Sequence, residues 1–151
     1  MEMISNHINY FEATNSPTAT AKGIKNEPNI DQLKAMRLVA VKCFEPLRLW
    51  ANVPLSINSF FRGEALNKAI GGAASSQHCK GEAIDIDMKG DKVTNAILFH
   101  WIKDNLKFDQ LLWEHGTKEN PDWVHVSYSD KNRNQVLRAK KVNGKTIYEK
   151  F

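Results

Sequence analysis

Cysteine is scarce in this chain. Cys43 and Cys79 lie far apart and form no CxxC spacing, so no disulfide framework is expected. Cys43 falls on the apolar side of a predicted helix and reads as a small core residue. Cys79, next to a candidate ligand, points away from it and reads as structural. Long apolar runs are missing too, and no stretch is long enough to span a membrane. The segment from Met1 to Ile8 lacks both the basic and the apolar part of a signal peptide, so synthesis in the cytoplasm without membrane insertion is expected. Dense Lys/Arg clusters are also absent. The net charge of +4 and pI near 9.1 describe a mildly basic protein that approaches anionic polymers easily, but they build no nucleic-acid groove. Repeats and low-complexity tracts are lacking.

What is present describes one α+β domain. A chain of 151 residues, 42% hydrophobic and 25% charged, can bury a proper core, and a monomer is expected. Residues 1–28 read as a polar N-terminal arm rich in turn chemistry, in which Tyr10, Phe11 and Ile24 are the candidate anchors, and residues 29–151 read as the domain. A helix is predicted from Asn29 or Asp31, with Leu33, Met36, Val39, Ala40, Phe44 and Leu47 at helical spacing and Pro46 kinking or tightening its end. Leu55 to Phe61 alternates as a strand. A short helix through Leu66 and Ile70 stops at Gly71-Gly72. Thr94 to Leu106 is amphipathic, with Ile97 and Trp101 expected on the sheet, and Asn143-Gly144 marks a hairpin in the tail. Together these predict a mostly antiparallel sheet with helices on one face and a cleft on the other.

Chemistry concentrates in two segments. Ser76-Gln77-His78-Cys79-Lys80-Gly81-Glu82-Ala83-Ile84-Asp85 places an imidazole and a carboxylate across a turn that runs into a strand. Asp122-Trp123-Val124-His125-Val126-Ser127-Tyr128 carries a second imidazole in an alternating run. Period-two alternation sends Ile84, Ile86 and Met88 to one face and Ala83, Asp85 and Asp87 to the other, just as it separates Val124 and Val126 from Trp123, His125 and Ser127. If the two strands share a sheet whose apolar face meets helices, Asp85 and His125 project into one cleft, where His78 arrives from a loop held by Gly81. Ligands of types N, O and N leave a fourth position open, the arrangement of a catalytic Zn2+.

The pattern Ser-x-His-x-x-Gly-x-Ala-x-Asp followed by Trp-Val-His-Val-Ser closely resembles the zinc D-Ala-D-Ala carboxypeptidase family, which includes the L-Ala-D-Glu endopeptidases of phage endolysins; hedgehog signalling domains share its metal-site architecture. The likeness extends from Glu45-Pro46-Leu47-Arg48 through Ser59-Phe60-Phe61-Arg62 and Leu66 to Gly72, and on to Phe108 to Glu114 and the His125 strand. It implies zinc on His78, Asp85 and His125 and hydrolysis of peptidoglycan peptides, as a carboxypeptidase or an endopeptidase. For a chain made in the cytoplasm, such an activity implies a phage enzyme released by a holin, or a virion component.

Peptide hydrolysis also needs a carboxylate to take a proton from water and pass it to the leaving amine. Glu114 and Asp122 compete for this role. The resemblance to hedgehog domains places a base at Glu114, while other family members carry a Glu three residues before the last ligand, where this chain has the shorter Asp122. Glu114 is preferred for its reach, and Asp122, after Pro121, is left to fix the loop or support a ligand. Arg62 matches the family arginine that binds substrate carbonyl or carboxylate, although Phe61 stands where the family has tyrosine and removes a hydroxyl from the site. Ser76 orients the His78 loop or contacts substrate, and Asp87 is a candidate to support Asp85. Of the other histidines, His7 reads as a surface residue of the arm and His100 as a helix-rim residue; His115 has strand parity opposite to Glu114. A non-catalytic phage structural or wall-binding protein that keeps the fold is the alternative. A signalling module lacks the secretion signal it would need.

Overall fold

The computed structural model describes residues 2–151. Its longest helical stretch begins as predicted. Asn29 caps α3 (Ile30–Val39) with a reciprocal bond pair to Gln32. The stretch then widens into a π segment (Ala40–Phe44) and resumes as α4 (Glu45–Ala51). Pro46 is the physical cause: it has no N–H, and its ring needs room at the carbonyl four residues back. A single π turn supplies that room, with the Glu45 N–H reaching back to the Ala40 carbonyl. Met36, Val39, Ala40, Cys43, Phe44 and Leu47 line the buried side.

Before this helix come β1 (Met3–Ser5), β2 (Ile8–Asn9), α1 (Tyr10–Thr14) and α2 (Pro17–Lys22). Ile4, Ile8 and Ala13 join the core, and Tyr10 packs against it. Phe11, expected as an anchor, is 64% exposed, because the one buried position of α1 goes to Ala13. His7 meets the Glu45 carboxylate at 2.6 Å through Nδ1.

The main sheet runs β3-β4-β6-β5-β7-β8. Its strands are β3 (Ile57–Ser59), β4 (Ala83–Ile86), β5 (Gln110–Glu114), β6 (Trp123–Ser127), β7 (Gln135–Val142) and β8 (Lys145–Lys150). All pairings are antiparallel except β5 with β7. Asn143 and Gly144, both at positive φ, turn β7 into β8 as the hairpin signal predicted.

The short helix α5 (Glu64–Ala69) stops just before Gly71, which lies at positive φ. Ile84, Ile86, Leu111, Trp113, Val124 and Val126 form the covered face, packed with α3 and with α6 (Asn95–Asn105) in one core. Leu98, Phe99 and Ile102 are the buried residues that α6 contributes to it. Ile97 was expected there but is 41% exposed, since the 3.6-residue period turns the position before Leu98 outward. Trp101 packs against the core as expected and also stacks on Trp50, with ring centroids 5.0 Å apart. With one face closed by helices, the polar residues of β4, β5 and β6 are left on the other.

Candidate active site

Strand register makes the site. Asp85 lies directly opposite His125 across the β4–β6 pair, and His125 lies opposite Leu112 across β6–β5. Two pairs further on, Glu114 faces Trp123. Asp85, His125 and Glu114 therefore share the open face, as their parity requires.

His78 enters from a 3₁₀ turn (Gln77–Lys80) that Ser76 caps by accepting the His78 N–H at 3.3 Å. The turn ends at Gly81, where φ is +75° and an added Cβ would stand 2.5 Å from the Gln32 carbonyl oxygen. That oxygen is helix backbone and cannot move aside. Gly81→Ala is thus expected to cost about 2 kcal/mol or more, from left-handed strain plus the clash. Thermal or denaturant unfolding checks this, and wild-type stability in the variant would remove Gly81 as the element that aims His78.

The three side chains converge. His78 Nε2 lies 3.1 Å from Asp85 Oδ2, and His125 Nδ1 lies 3.0 Å from Asp85 Oδ1. All three residues are buried, and one donor atom from each falls within 4.8 Å of the other two. The His78 ring is fixed from behind, its Nδ1 donating to the Phe60 carbonyl at 2.8 Å, which leaves Nε2 as the free donor. Burial alone would raise the Asp85 carboxyl. The His78 charge, reinforced by hydrogen bonds from both imidazoles, outweighs it and holds Asp85 well below the usual carboxylate range. An ionised carboxylate between two imidazoles, with donors converging on one point, fits a zinc that keeps an open position.

Around these residues lies a cleft of about 880 Å³. Arg62, Ser76, Glu114, Trp123 and Tyr148 all line it. Glu114 is 8% exposed and its pKa is raised to about 7. Loss of water contact is the main cause, with His125 and Arg62 pulling down and the Asp85 charge pushing up. Arg62 is held by two neighbouring contacts. Its backbone N–H donates to the His78 carbonyl at 3.3 Å, and Asn26 clamps the flanking Phe61 carbonyl and Gly63 N–H at 3.0 and 2.8 Å. The Arg62 Nε is buried without a hydrogen-bond partner among the described residues.

Not every candidate reaches the cleft. The Asp122 side chain is exposed and borders an adjacent groove, while its backbone N–H pairs with the Glu114 carbonyl at 2.9 Å. Asp87 turns to Asn95, 3.0 Å away, and to Lys89, because it lies beyond the end of β4. His100 is exposed and meets the Trp113 ring edge-on.

His115 departs from its expected parity. At φ +54° it ends the strand in a left-handed turn, and the ring swings to the cleft, 5.4 Å from that of Trp123 and 3.8 Å from the Glu114 carboxylate. Two further residues carried no signal of their own. Gln77 bonds His125 Nε2 at 2.9 Å, and Tyr148 comes from the tail hairpin.

A hydrolytic metal centre needs a buried N, O, N donor set, an open side and a carboxylate beside it, and this α+β fold provides them as a metallopeptidase does. The Peptidase M15 model matches residues 6–127, and the chain belongs to that family of zinc peptidases. Among curated proteins, none matches the chain. Membership implies action on peptidoglycan peptides, with zinc on His78, Asp85 and His125. No helix among the described residues is long and apolar enough to cross a membrane.

Proposed function

We propose that this chain is an endopeptidase of peptidoglycan stem peptides in which Glu114 is the general base and then the general acid. The position of Glu114 carries the assignment: it is a buried carboxyl on the same face as the ligands, with a pKa pushed up to about 7, where a proton is taken and returned with least cost. Zinc, when bound, supplies Lewis acidity toward the scissile carbonyl and makes water a better nucleophile near neutral pH. Glu114 accepts the proton that water loses as its oxygen bonds the carbonyl carbon, and delivers it to the amine nitrogen as the C–N bond breaks. Asp122, exposed on the neighbouring groove, is assigned to the loop that orders the end of β5. Ser76 positions the His78 turn.

The choice of an internal bond is supported by that neighbouring groove. It measures about 850 Å³ and shares His115 and Trp123 with the cleft, so an extended peptide has room to continue past the metal centre. Likeness of the ligand motif to phage endolysin endopeptidases supports a lytic setting. A second reading, the carboxypeptidase, is favoured by one observation: the unpartnered Arg62 Nε beside the cleft suits a terminal carboxylate.

Digestion of purified muropeptides read by mass spectrometry separates the two. Split stem peptides support the endopeptidase, and free D-Ala supports the carboxypeptidase. Cleavage is expected to stop on chelation and return with zinc. Intact muropeptides after long incubation of the zinc-loaded protein, across several wall chemotypes, would favour a wall-binding scaffold instead.

Arg62→Ala is expected to raise KM by about tenfold or more, the scale of one charge-assisted hydrogen bond, and to leave zinc content unchanged. Steady-state kinetics with elemental analysis checks this. Loss of zinc in that variant would contradict a substrate-binding role.

A further inference from the structure

We infer that a relay of Arg133, Asp109 and Gln77 sets which nitrogen His125 offers to the metal. None of the three is a ligand. Arg133 donates through Nε to Asp109 Oδ1 at 2.8 Å and through Nη2 to Oδ2 at 2.9 Å, and its backbone N–H reaches Oδ1 at 3.1 Å. Asp109 is buried and, so surrounded by donors, acts only as an acceptor. Its Oδ2 also takes a hydrogen bond from Gln77 Nε2 at 2.9 Å.

This contact removes an ambiguity. The two ends of a glutamine amide are told apart only by their partners, and here the amino end must face the carboxylate. Gln77 Oε1 therefore faces His125 Nε2 at 2.9 Å. A carbonyl oxygen can only accept, so Nε2 carries a proton and is closed to the metal, and Nδ1, whose hydrogen bond goes to Asp85 Oδ1, is the nitrogen that exchanges its proton for the metal. His78 is set the opposite way, since its Nδ1 is committed to the Phe60 carbonyl and its Nε2 faces Asp85. Gln77 is thus a positioning residue, adjacent in sequence to one ligand and bonded to the other.

The inference rests on the zinc-peptidase reading but is tested apart from turnover. Asp109→Asn keeps shape and, with its oxygen on Arg133 Nε, presents an amino group where Gln77 now donates. The Gln77 amide must then reverse and point an N–H at His125 Nε2, which strips the proton from Nε2 and leaves the ring protonated only at Nδ1, against Asp85. Gln77→Met removes the acceptor altogether.

Both variants are expected to bind zinc about 10- to 100-fold more weakly, the usual scale for loss of a partner behind a metal-bound histidine, as read by chelator competition. Nitrogen-15 NMR of the metal-free protein should show a protonated Nε2 on His125 in the wild type and loss of that proton, with Nδ1 alone protonated, in Asp109→Asn. A role confined to packing would leave the ring proton in place. Wild-type zinc affinity and an unmoved proton in either folded variant would overturn the relay. A wild type that binds no zinc would sink the metal centre itself, while the ring-proton measurement would still decide the relay.

Discussion

Glu114→Gln should retain about one zinc per chain and lose turnover by two orders of magnitude or more, the scale of a missing general base. Asp122→Asn should stay within a few-fold of wild type, because the Asp122 side chain is exposed outside the cleft. The reverse pattern, an inactive Asp122→Asn beside a normal Glu114→Gln, would move the base to the loop.

The pH dependence has a definite sign. Glu114 must be ionised to act as a base, so kcat/KM should rise with pH along a limb governed by its pKa, about 7 in the metal-free protein. A bound divalent cation favours the carboxylate and displaces that limb to lower pH. Without metal, the same group weakens the fold. Its folded pKa of about 7 lies above the reference value of 4.5, so stability is full below about 4.5 and declines as pH rises toward 7. Glu114→Gln removes that loss. Metal-free variant is therefore expected to be more stable than metal-free wild type at pH 8, by at most about 3 kcal/mol, and the difference should vanish near pH 4. Urea unfolding at the two pH values measures it, and equal stability at pH 8 would show that Glu114 is solvated.

His125→Ala should carry the second large effect, a fall from about one zinc per chain to a small fraction of that. Two ligands remain, but the third corner of the donor set is gone, and Asp85 loses one of the two imidazoles that keep it ionised in a buried place. Breaking such a buried pair costs on the order of 3 kcal/mol, so the metal-free variant should also unfold at lower urea. Elemental analysis after dialysis decides the metal question. Undiminished zinc would remove His125 from the site and with it the Asp85–His125 register argument.

Much of the centre was readable because its determinants are local. Period-two alternation in Ala83–Ile86 and Trp123–Ser127 assigns Asp85 and His125 to the polar face of their own strands, whatever those strands pair with. Gly81 marks a turn only glycine enters easily, and Asn29, Gly71 and Asn143-Gly144 announce a helix start, a helix end and a hairpin by equally short-range chemistry. The His-Asp-His ligand set, the α+β class and the mostly antiparallel sheet followed from such signals and from the motif's resemblance to a known family.

Tertiary structure decided what depends on residues distant in the chain. Strand pairing set Asp85 opposite His125 and brought Glu114 onto the same face, while a backbone bond between β5 and the following loop left the Asp122 carboxylate outside. A left-handed turn at His115 reversed a side chain whose strand parity pointed away, and the tail hairpin carried Tyr148 into the cleft from beyond residue 127. Gln77 is the sharpest case. Nothing in its type or neighbours marks it, and its meaning comes from Asp109 and His125, which β5 and β6 bring within hydrogen-bond reach. Alternation and turn chemistry act through a few bonds, so sequence alone could reveal them; register, burial and the direction of a hydrogen bond are properties of chain segments that meet only on folding.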